Sequence, residues 1–414
     1  MTQASSAHTG KRVVLQSGHE VRLLQGTREF FPALVADMDE ARVCIQFETY
    51  IFDGTSSGND IVQALIRAAR RGVEVRLAVD GFGTGAIPAR MRESFEDAGV
   101  QLQVFSAVSQ LALLLPRHWR RLHRKLCVVD DEVLYCGGIN VLDDFYDPNY
   151  GTLKAPRFDF AVRAKGALVE QASDNMDKLW WRMRAVHDAR QRRLSSAVAD
   201  LRAAGAAQGA ARRSTARARG MRAALLFRDN LRNRARIEKA YLRAIANARK
   251  DIIIANAYFL PGRKLRRALK LASQRGVNVR LLLQGRYEYF MQYHASRPVY
   301  GALLEAGVRI YEYSPSFLHA KVAVIDAYVE KPWATVGSSN LEPLSLLLAR
   351  EANVVVEDAA FAQDLHRRLE RAMAESGEQM DPLSFAARPL RQRVLDHIAS
   401  AIMRTLIWVT GNRY

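Results

Sequence analysis

The chain has 414 residues, enough for two domains that each bury a core. Hydrophobic residues make up 49% and charged residues 25%, which excludes a largely disordered or fibrous chain. Lysine and arginine (61) outnumber aspartate and glutamate (43), and the net charge of +18 favours an anionic partner, either nucleic acid or an acidic membrane surface.

Met1 to Gly18 is polar and has no apolar signal core. No stretch reaches the roughly 20 apolar residues of a membrane span, so membrane contact is expected from the side. An amphipathic helix opens at Ile61 and ends at Arg71-Gly72-Val73, and the strand Glu74 to Val79 follows. Gly81-Phe82-Gly83-Thr84-Gly85-Ala86 comes next; it ends in alanine, so it reads as a loop near a site rather than a dinucleotide fingerprint. Ala98-Gly99-Val100 marks another helix-to-strand boundary, with glycine as the C-cap. Residues 107–119 hold the apolar run Leu111-Ala112-Leu113-Leu114-Leu115-Pro116, which is either a membrane-facing loop or a helix packed on the domain.

A compact motif follows: His123-Arg124-Lys125, four residues, Asp130, then the turn Gly137-Gly138-Ile139-Asn140. Asp159 opens a strand at Phe158-Asp159-Phe160-Ala161-Val162. From Arg182 to Arg222 there are 11 arginines, no lysine and two aspartates, a net +9. That stretch is expected to be helical to about Ala204 and a poorly ordered linker beyond.

The pattern then repeats. A helix from Leu265 ends at Arg275-Gly276-Val277 before the strand Asn278 to Leu283, and Ala306-Gly307-Val308 marks the next boundary. His319-Ala320-Lys321, four residues and Asp326 precede Gly337-Ser338-Ser339-Asn340. Glu351 lies in Arg350-Glu351-Ala352-Asn353-Val354. Gly72 and Gly276 are 204 positions apart, but His123 and His319 only 196, so the first half carries 8 extra residues near 107–119. The tail places Leu395, Ile398, Ile402, Leu406, Ile407 and Trp408 at helical spacing among Arg391, Arg393 and Arg404, suited to a membrane interface or to docking on the protein body. The expected organisation is an N-terminal half at 1–185, a basic linker at 186–222, a C-terminal half at 223–380 and an amphipathic tail at 381–414. Helices alternating with short apolar strands indicate an α/β fold.

The repeated motif carries phosphodiester chemistry. A strand would put the histidine and lysine, two residues apart, on one face. Two ammonium groups neutralise the phosphodiester charge, and asparagine after a glycine turn can donate to it. One imidazole can attack phosphorus while the other carries protons. Asp159 and Glu351 are candidate orienters, each for the histidine of its own half. Cys44, Cys127 and Cys136 form no CxxC pair, so no metal site or other cofactor is expected, and their sparse use fits a reducing compartment. The seven other histidines lack this setting and read as structural or surface residues.

These paired motifs, with Glu48-Thr49-Tyr50-Ile51-Phe52 and the segment from Gly337 to Ser345, resemble the phospholipase D superfamily from about Val21 to Met373. Within it they are similar to bacterial cardiolipin synthases of the short form, without N-terminal transmembrane helices. The resemblance implies two similar α/β halves about a pseudo-twofold axis with one shared active site. It implies transfer of a phosphatidyl group from one phosphatidylglycerol to another with release of glycerol, through a covalent phosphohistidine. A hydrolase or nuclease of the same superfamily is the alternative. His123, Lys125, Asp130, His319, Lys321 and Asp326 take the catalytic positions, with both aspartates in supporting roles. Asn140 and Asn340 take the substrate-binding positions, and Asp159 and Glu351 orient the histidines. Ala349 departs from the pattern, since many members have asparagine there. The implied partner is anionic phospholipid, not nucleic acid, at the cytoplasmic face of the bacterial inner membrane, and the oligomeric state is open.

Overall fold

The computed structural model describes residues 13–409 apart from 107–119, 148–149, 192, 207–219, 230–232, 234, 288–289 and 343–348. The apolar run before His123 therefore lies outside the described residues, as does the linker expected beyond Ala206.

The first half runs β1 (Gln16–Gln25), α1 (Gly26–Glu40), β2 (Cys44–Thr49), α2 (Gly58–Arg70), β3 (Glu74–Asp80), α3 (Ala89–Ala98) and β4 (Gln101–Phe105). It continues β5 (Arg121–Leu122), β6 (Lys125–Val129), β7 (Val133–Gly137), β8 (Tyr146–Asp147), β9 (Gly151–Thr152) and β10 (Phe160–Lys165). Helices α4 (Ala167–Arg190) and α5 (Leu194–Ala206) lead to the second half. That half has β11 (Met221–Arg228), α6 (Arg236–Asn247), β12 (Asp251–Asn256), α7 (Arg263–Gln274), β13 (Asn278–Gln284), α8 (Phe290–Leu304) and β14 (Arg309–Tyr313). It continues β15 (Lys321–Ile325), β16 (Trp333–Gly337), β17 (Ala349–Glu357), α9 (Ala359–Ser376) and β18 (Gly377–Gln379), and the tail forms α10 (Pro382–Ala386) and α11 (Leu390–Val409).

Helices and strands therefore alternate as the sequence predicts. Gly72, Gly99, Gly276 and Gly307 all adopt φ between 83° and 90°, the left-handed turn that ends a helix without a Cβ penalty. Sixteen of the strands form one sheet, β8 and β9 pairing apart from it, and in that sheet β17, β11, β1 and β10 lie side by side, so the two halves join at the β11–β1 pair. On either side the order mirrors itself: β10-β7-β6-β2-β3-β4 outward in the first half, β17-β16-β15-β12-β13-β14 in the second.

Each half has an outer core under its own helices. One gathers Leu34, Ile61, Leu65 and Phe95; the other Ile237, Leu265, Leu269 and Leu303. A third core belongs to both halves, with Leu126, Val128 and Val162 packed among Val322, Val324 and Val354. Burying each such side chain is worth roughly 1.5–3 kcal/mol, so the halves are held as one body.

Helix α4 runs through residue 185 to Arg190, and α5 packs back on it, so residues 186–206 are mostly helical, in line with the helix expected to about Ala204. Asp188 and Asp200 are both buried there. The tail helix α11 docks on α8: Ala399 and Met403 bury against Ala295, and His294 Nδ1 meets Asp396 at 2.7 Å. Among the described residues no helix is long and apolar enough to cross a membrane.

Candidate active site

The catalytic strands begin at the lysines, not the histidines, because β6 opens at Lys125 and β15 at Lys321. The residues just before them leave their own half. Arg121 and Leu122 pair in parallel with Ala349 and Arg350 of β17, and the His123 N–H donates to the Arg350 carbonyl at 3.1 Å. The second half does the same: Leu318 bridges Phe158, and the His319 N–H donates to the Phe158 carbonyl at 2.9 Å.

This exchange decides the histidine partners. Nδ1 of His123 lies 3.1 Å from Glu351 Oε1, and Nδ1 of His319 lies 2.6 Å from Asp159 Oδ2. Each acid therefore orients the histidine of the opposite half, which corrects the same-half pairing expected from the sequence. The reason is the strand exchange: each histidine is tied to the backbone one residue before the other half's acid. With Nδ1 held by a carboxylate, Nε2 is the nitrogen left to face a substrate.

Glu351 and Asp159 differ in their surroundings. Glu351 also accepts a hydrogen bond from the Ser338 hydroxyl. The matching position is Gly138, where an added Cβ would lie 2.3 Å from Asp159 Oδ1, so only glycine leaves room for that carboxylate. Burial pushes Asp159 up to about 6, against the pull of Lys321 and Lys125. Burial acts upward on Glu351 too, but His123 and Arg228 bring it below the usual range, so it stays ionised.

Lys125 and Lys321 are buried side by side, and each ammonium donates to the carbonyl of the histidine two residues earlier. Burial, then the neighbouring charge of Lys321, lowers Lys125 to about 7. Burial and the two lysines lower both imidazoles, His319 the further. An arriving phosphodiester brings the negative charge that this cationic pocket lacks, and so favours protonation of one imidazole. Asn140 Oδ1 accepts from the Ile51 N–H at 3.1 Å, which turns its NH2 toward the role of donor, and Asn340 is buried in the matching turn.

Asp130 and Asp326 do not belong with these groups. Both sit at positive φ, 52° and 54°, just beyond the far ends of β6 and β15. The Asp130 carboxylate accepts from the N–H groups of Arg42, Val43 and Cys44; that of Asp326 accepts from Arg249, Lys250 and Asp251. They are staples for the start of β2 and β12, and their catalytic placement by motif is corrected accordingly. Arg124, the middle residue of the first motif, is buried against Glu48 and is likewise structural.

Three further residues escaped the sequence reading. The Tyr50 ring lies 4.8 Å from the His123 ring, tilted 58° to it, with Lys125 Nζ 5.1 Å from its centre. Asp80 Oδ2 accepts from the Leu122 N–H at 2.7 Å, and Gln284 Oε1 accepts from the Leu318 N–H at 3.3 Å. The last two end matched strands, β3 and β13, and that repeat was the available signal. The Gly81–Gly85 loop does lie beside the site, since Thr84 Oγ1 bonds both sides of the Tyr50–Phe52 segment.

Two imidazoles, two buried ammonium groups and two crossed carboxylates, drawn equally from two mirrored α/β halves, define a phospholipase D type of architecture. The chain belongs to the family of cardiolipin synthases with phospholipase D-like domains, whose family model matches residues 34–154 and 241–373. It is an enzyme of that phosphatidyltransferase group. It is 32% identical over 382 residues to cardiolipin synthase B of Escherichia coli (strain K12), covering 90% of this chain and 85% of that protein. It is 28% identical over 389 residues to cardiolipin synthase A of Edwardsiella ictaluri, covering 92% and 74%. The fold matches phosphatidylserine synthase from Haemophilus influenzae Rd KW20, with TM-score 0.66, 13% identity and 96% of each chain covered. It also matches polyphosphate kinase from Porphyromonas gingivalis, with TM-score 0.56, 13% identity, and 93% of this chain and 53% of that one covered.

Proposed function

We propose that this enzyme makes cardiolipin from two molecules of phosphatidylglycerol, at the cytoplasmic face of the bacterial inner membrane. The observation that carries the chemistry is the crossed pair, His123 with Glu351 and His319 with Asp159, around two buried lysines. The choice of lipid rests on the family and on relatives that are cardiolipin synthases.

In the first step Nε2 of one imidazole attacks phosphorus. The bond from phosphorus to the headgroup glycerol oxygen breaks, and the opposite imidazolium gives that oxygen its proton. Glycerol leaves a phosphatidyl-histidine. In the second step a hydroxyl of another phosphatidylglycerol loses its proton to the same acid/base imidazole and attacks phosphorus. The phosphorus–nitrogen bond breaks and cardiolipin departs. Lys125, Lys321, Asn140 and Asn340 hold the phosphoryl oxygens as their charge builds. Each acid keeps its histidine in the tautomer with Nε2 toward phosphorus.

The test is the purified protein with phosphatidylglycerol vesicles. Cardiolipin and glycerol are expected in equal amounts. Phosphatidic acid without cardiolipin would make it a hydrolase, and cleavage of single-stranded DNA without lipid turnover would make it a nuclease.

A further inference from the structure

The two halves differ beside the histidines. Following the register of β2 against β6 and β12 against β15, Thr49 corresponds to Asn256 and Tyr50 to Ala257. In the first half the Tyr50 ring covers His123. In the second half only a methyl group stands at that place, and a cavity of about 40 Å³ opens beside it. Its wall includes Ala257, Gln284, Arg286, Gln292, Ser296 and Glu342. It adjoins the catalytic strand, because the Ala257 N–H donates to the carbonyl of Ala320, next to His319.

The chemistry of the wall is specific. Asp80 and Gln284 hold corresponding places at the ends of β3 and β13. Asp80 spends both oxygens on backbone N–H groups of Phe82, Gly83 and Leu122. Gln284 does the equivalent work with Oε1 alone, accepting from Leu318 and Arg286, which assigns the amide orientation. Its Nε2 is buried with no partner among the described residues, and so is Oε1 of Gln292, a second residue of the same wall. A buried polar atom without a partner is costly, so an orphaned donor and an orphaned acceptor on two residues of one cavity wall mark a place for a ligand that both accepts and donates. The Ser296 hydroxyl donates to the Tyr293 carbonyl, which leaves its oxygen able to accept. A hydroxyl group matches this set, and two adjacent hydroxyls match it better.

We infer that this cavity is the headgroup subsite of the enzyme, built for a neutral polyol of the glycerol type, and that Gln284 and Gln292 are its specificity-determining residues. The inference rests on the phosphatidyl-transfer reading above and adds which side of the phosphate the headgroup occupies. The leaving glycerol and the hydroxyl of the accepting lipid occupy the same subsite in turn, beside His319. In-line displacement then puts the attacking imidazole on the other side, at His123.

The test follows the partition of phosphatidyl groups between lipid acceptor and water. Wild type, Gln292→Leu and Gln284→Leu are compared on phosphatidylglycerol vesicles, measuring cardiolipin and phosphatidic acid together. Either substitution is expected to lower the cardiolipin-to-phosphatidic acid ratio at least 10-fold and to raise the KM for phosphatidylglycerol. A substitution that only loosened the fold would lower both products together. Added glycerol is expected to capture phosphatidyl groups in wild type and to lose most of that effect in either variant. An unchanged ratio in both variants, or equal use of phosphatidylethanolamine vesicles as sole lipid by wild type, would overturn the polyol subsite. Absence of cardiolipin from wild type itself would instead overturn the proposed function.

Discussion

The halves of this enzyme present the same groups to a phosphate through different walls. The first half is closed: Tyr50 covers His123, Asp80 is saturated by backbone, and Arg124 is buried against Glu48. The second is open at Ala257, keeps Gln284 Nε2 without a partner among the described residues, and has Ala320 where the first has Arg124. The acids differ as well. Asp159 sits over a bare glycine and is pushed up to about 6, whereas Glu351 is held ionised with Ser338 bonded to it. Duplication supplies two sets of groups, and divergence of the walls around them gives one site two unequal sides.

The sharpest way to break this comparison is to remove a histidine from each side. His123→Ala and His319→Ala are each expected to lower cardiolipin synthesis about 10⁴-fold or more, because both steps of the proposed mechanism use both imidazoles. They should differ in what can be trapped. With a p-nitrophenyl phosphatidyl donor, whose leaving group needs little protonation, His319→Ala should accumulate a phosphohistidine that peptide mapping places at His123. A phosphohistidine at His319 in the reciprocal variant would reverse the assignment of sides.

Removing an acid tests the crossing. Glu351→Gln and Asp159→Asn are expected to cost about 10²- to 10⁴-fold in kcat, the range for losing a histidine-orienting carboxylate. In nitrogen-15 spectra, Glu351→Gln should move the imidazole signals of His123 more than those of His319, and Asp159→Asn the reverse. Larger shifts within the same half would contradict the exchange seen here.

The pH dependence should carry a signature from each side. Asp159 loses its charge as pH falls through about 6, and Lys125 loses its proton as pH rises through about 7. The profile of kcat/KM is therefore expected to peak between those values and fall on both sides. Stability follows its own sign. Lys125 binds its proton less tightly when folded than at the ordinary 10.5, so the unfolded chain holds more protons between about 7 and 10.5 and that residue's contribution to stability rises with pH there. Lys125→Met should raise Tm by a few degrees at pH 6, while synthesis falls about 10³-fold. An unchanged Tm would mean that the buried charge is better compensated than its neighbours suggest.

The smallest expected effect concerns the staples. Asp130→Ala and Asp326→Ala each remove acceptors from three backbone N–H groups and should cost about 1–3 kcal/mol of stability, read as a lower Tm. The kcat measured well below that Tm is expected to stay within a fewfold of wild type. A loss of kcat comparable to that of the histidine variants would return these aspartates to the chemistry.

Local pattern determined a great deal. The glycine at the end of each helix, the apolar runs Leu126–Val129 and Val322–Ile325, and the His-x-Lys spacing are short-range features, so the α/β halves, their duplication and the groups for phosphodiester transfer were legible from residue order. The staple role of Asp130 and Asp326 was half legible, because the motif marks the positions but not the three N–H groups that meet them. The partner of each histidine was not legible at all. His123 and Glu351 are 228 positions apart, His319 and Asp159 160, and their pairing depends on which strand the segment before each histidine joins. Tertiary structure alone decided that exchange, since hydrogen-bonding edges of the two halves are chemically alike and only the packing of the shared core brings Leu122 to Arg350 and Leu318 to Phe158. The same holds for the cavity at Ala257. A missing ring is visible in the sequence only once the register of β12 against β15 shows which residue ought to have supplied it.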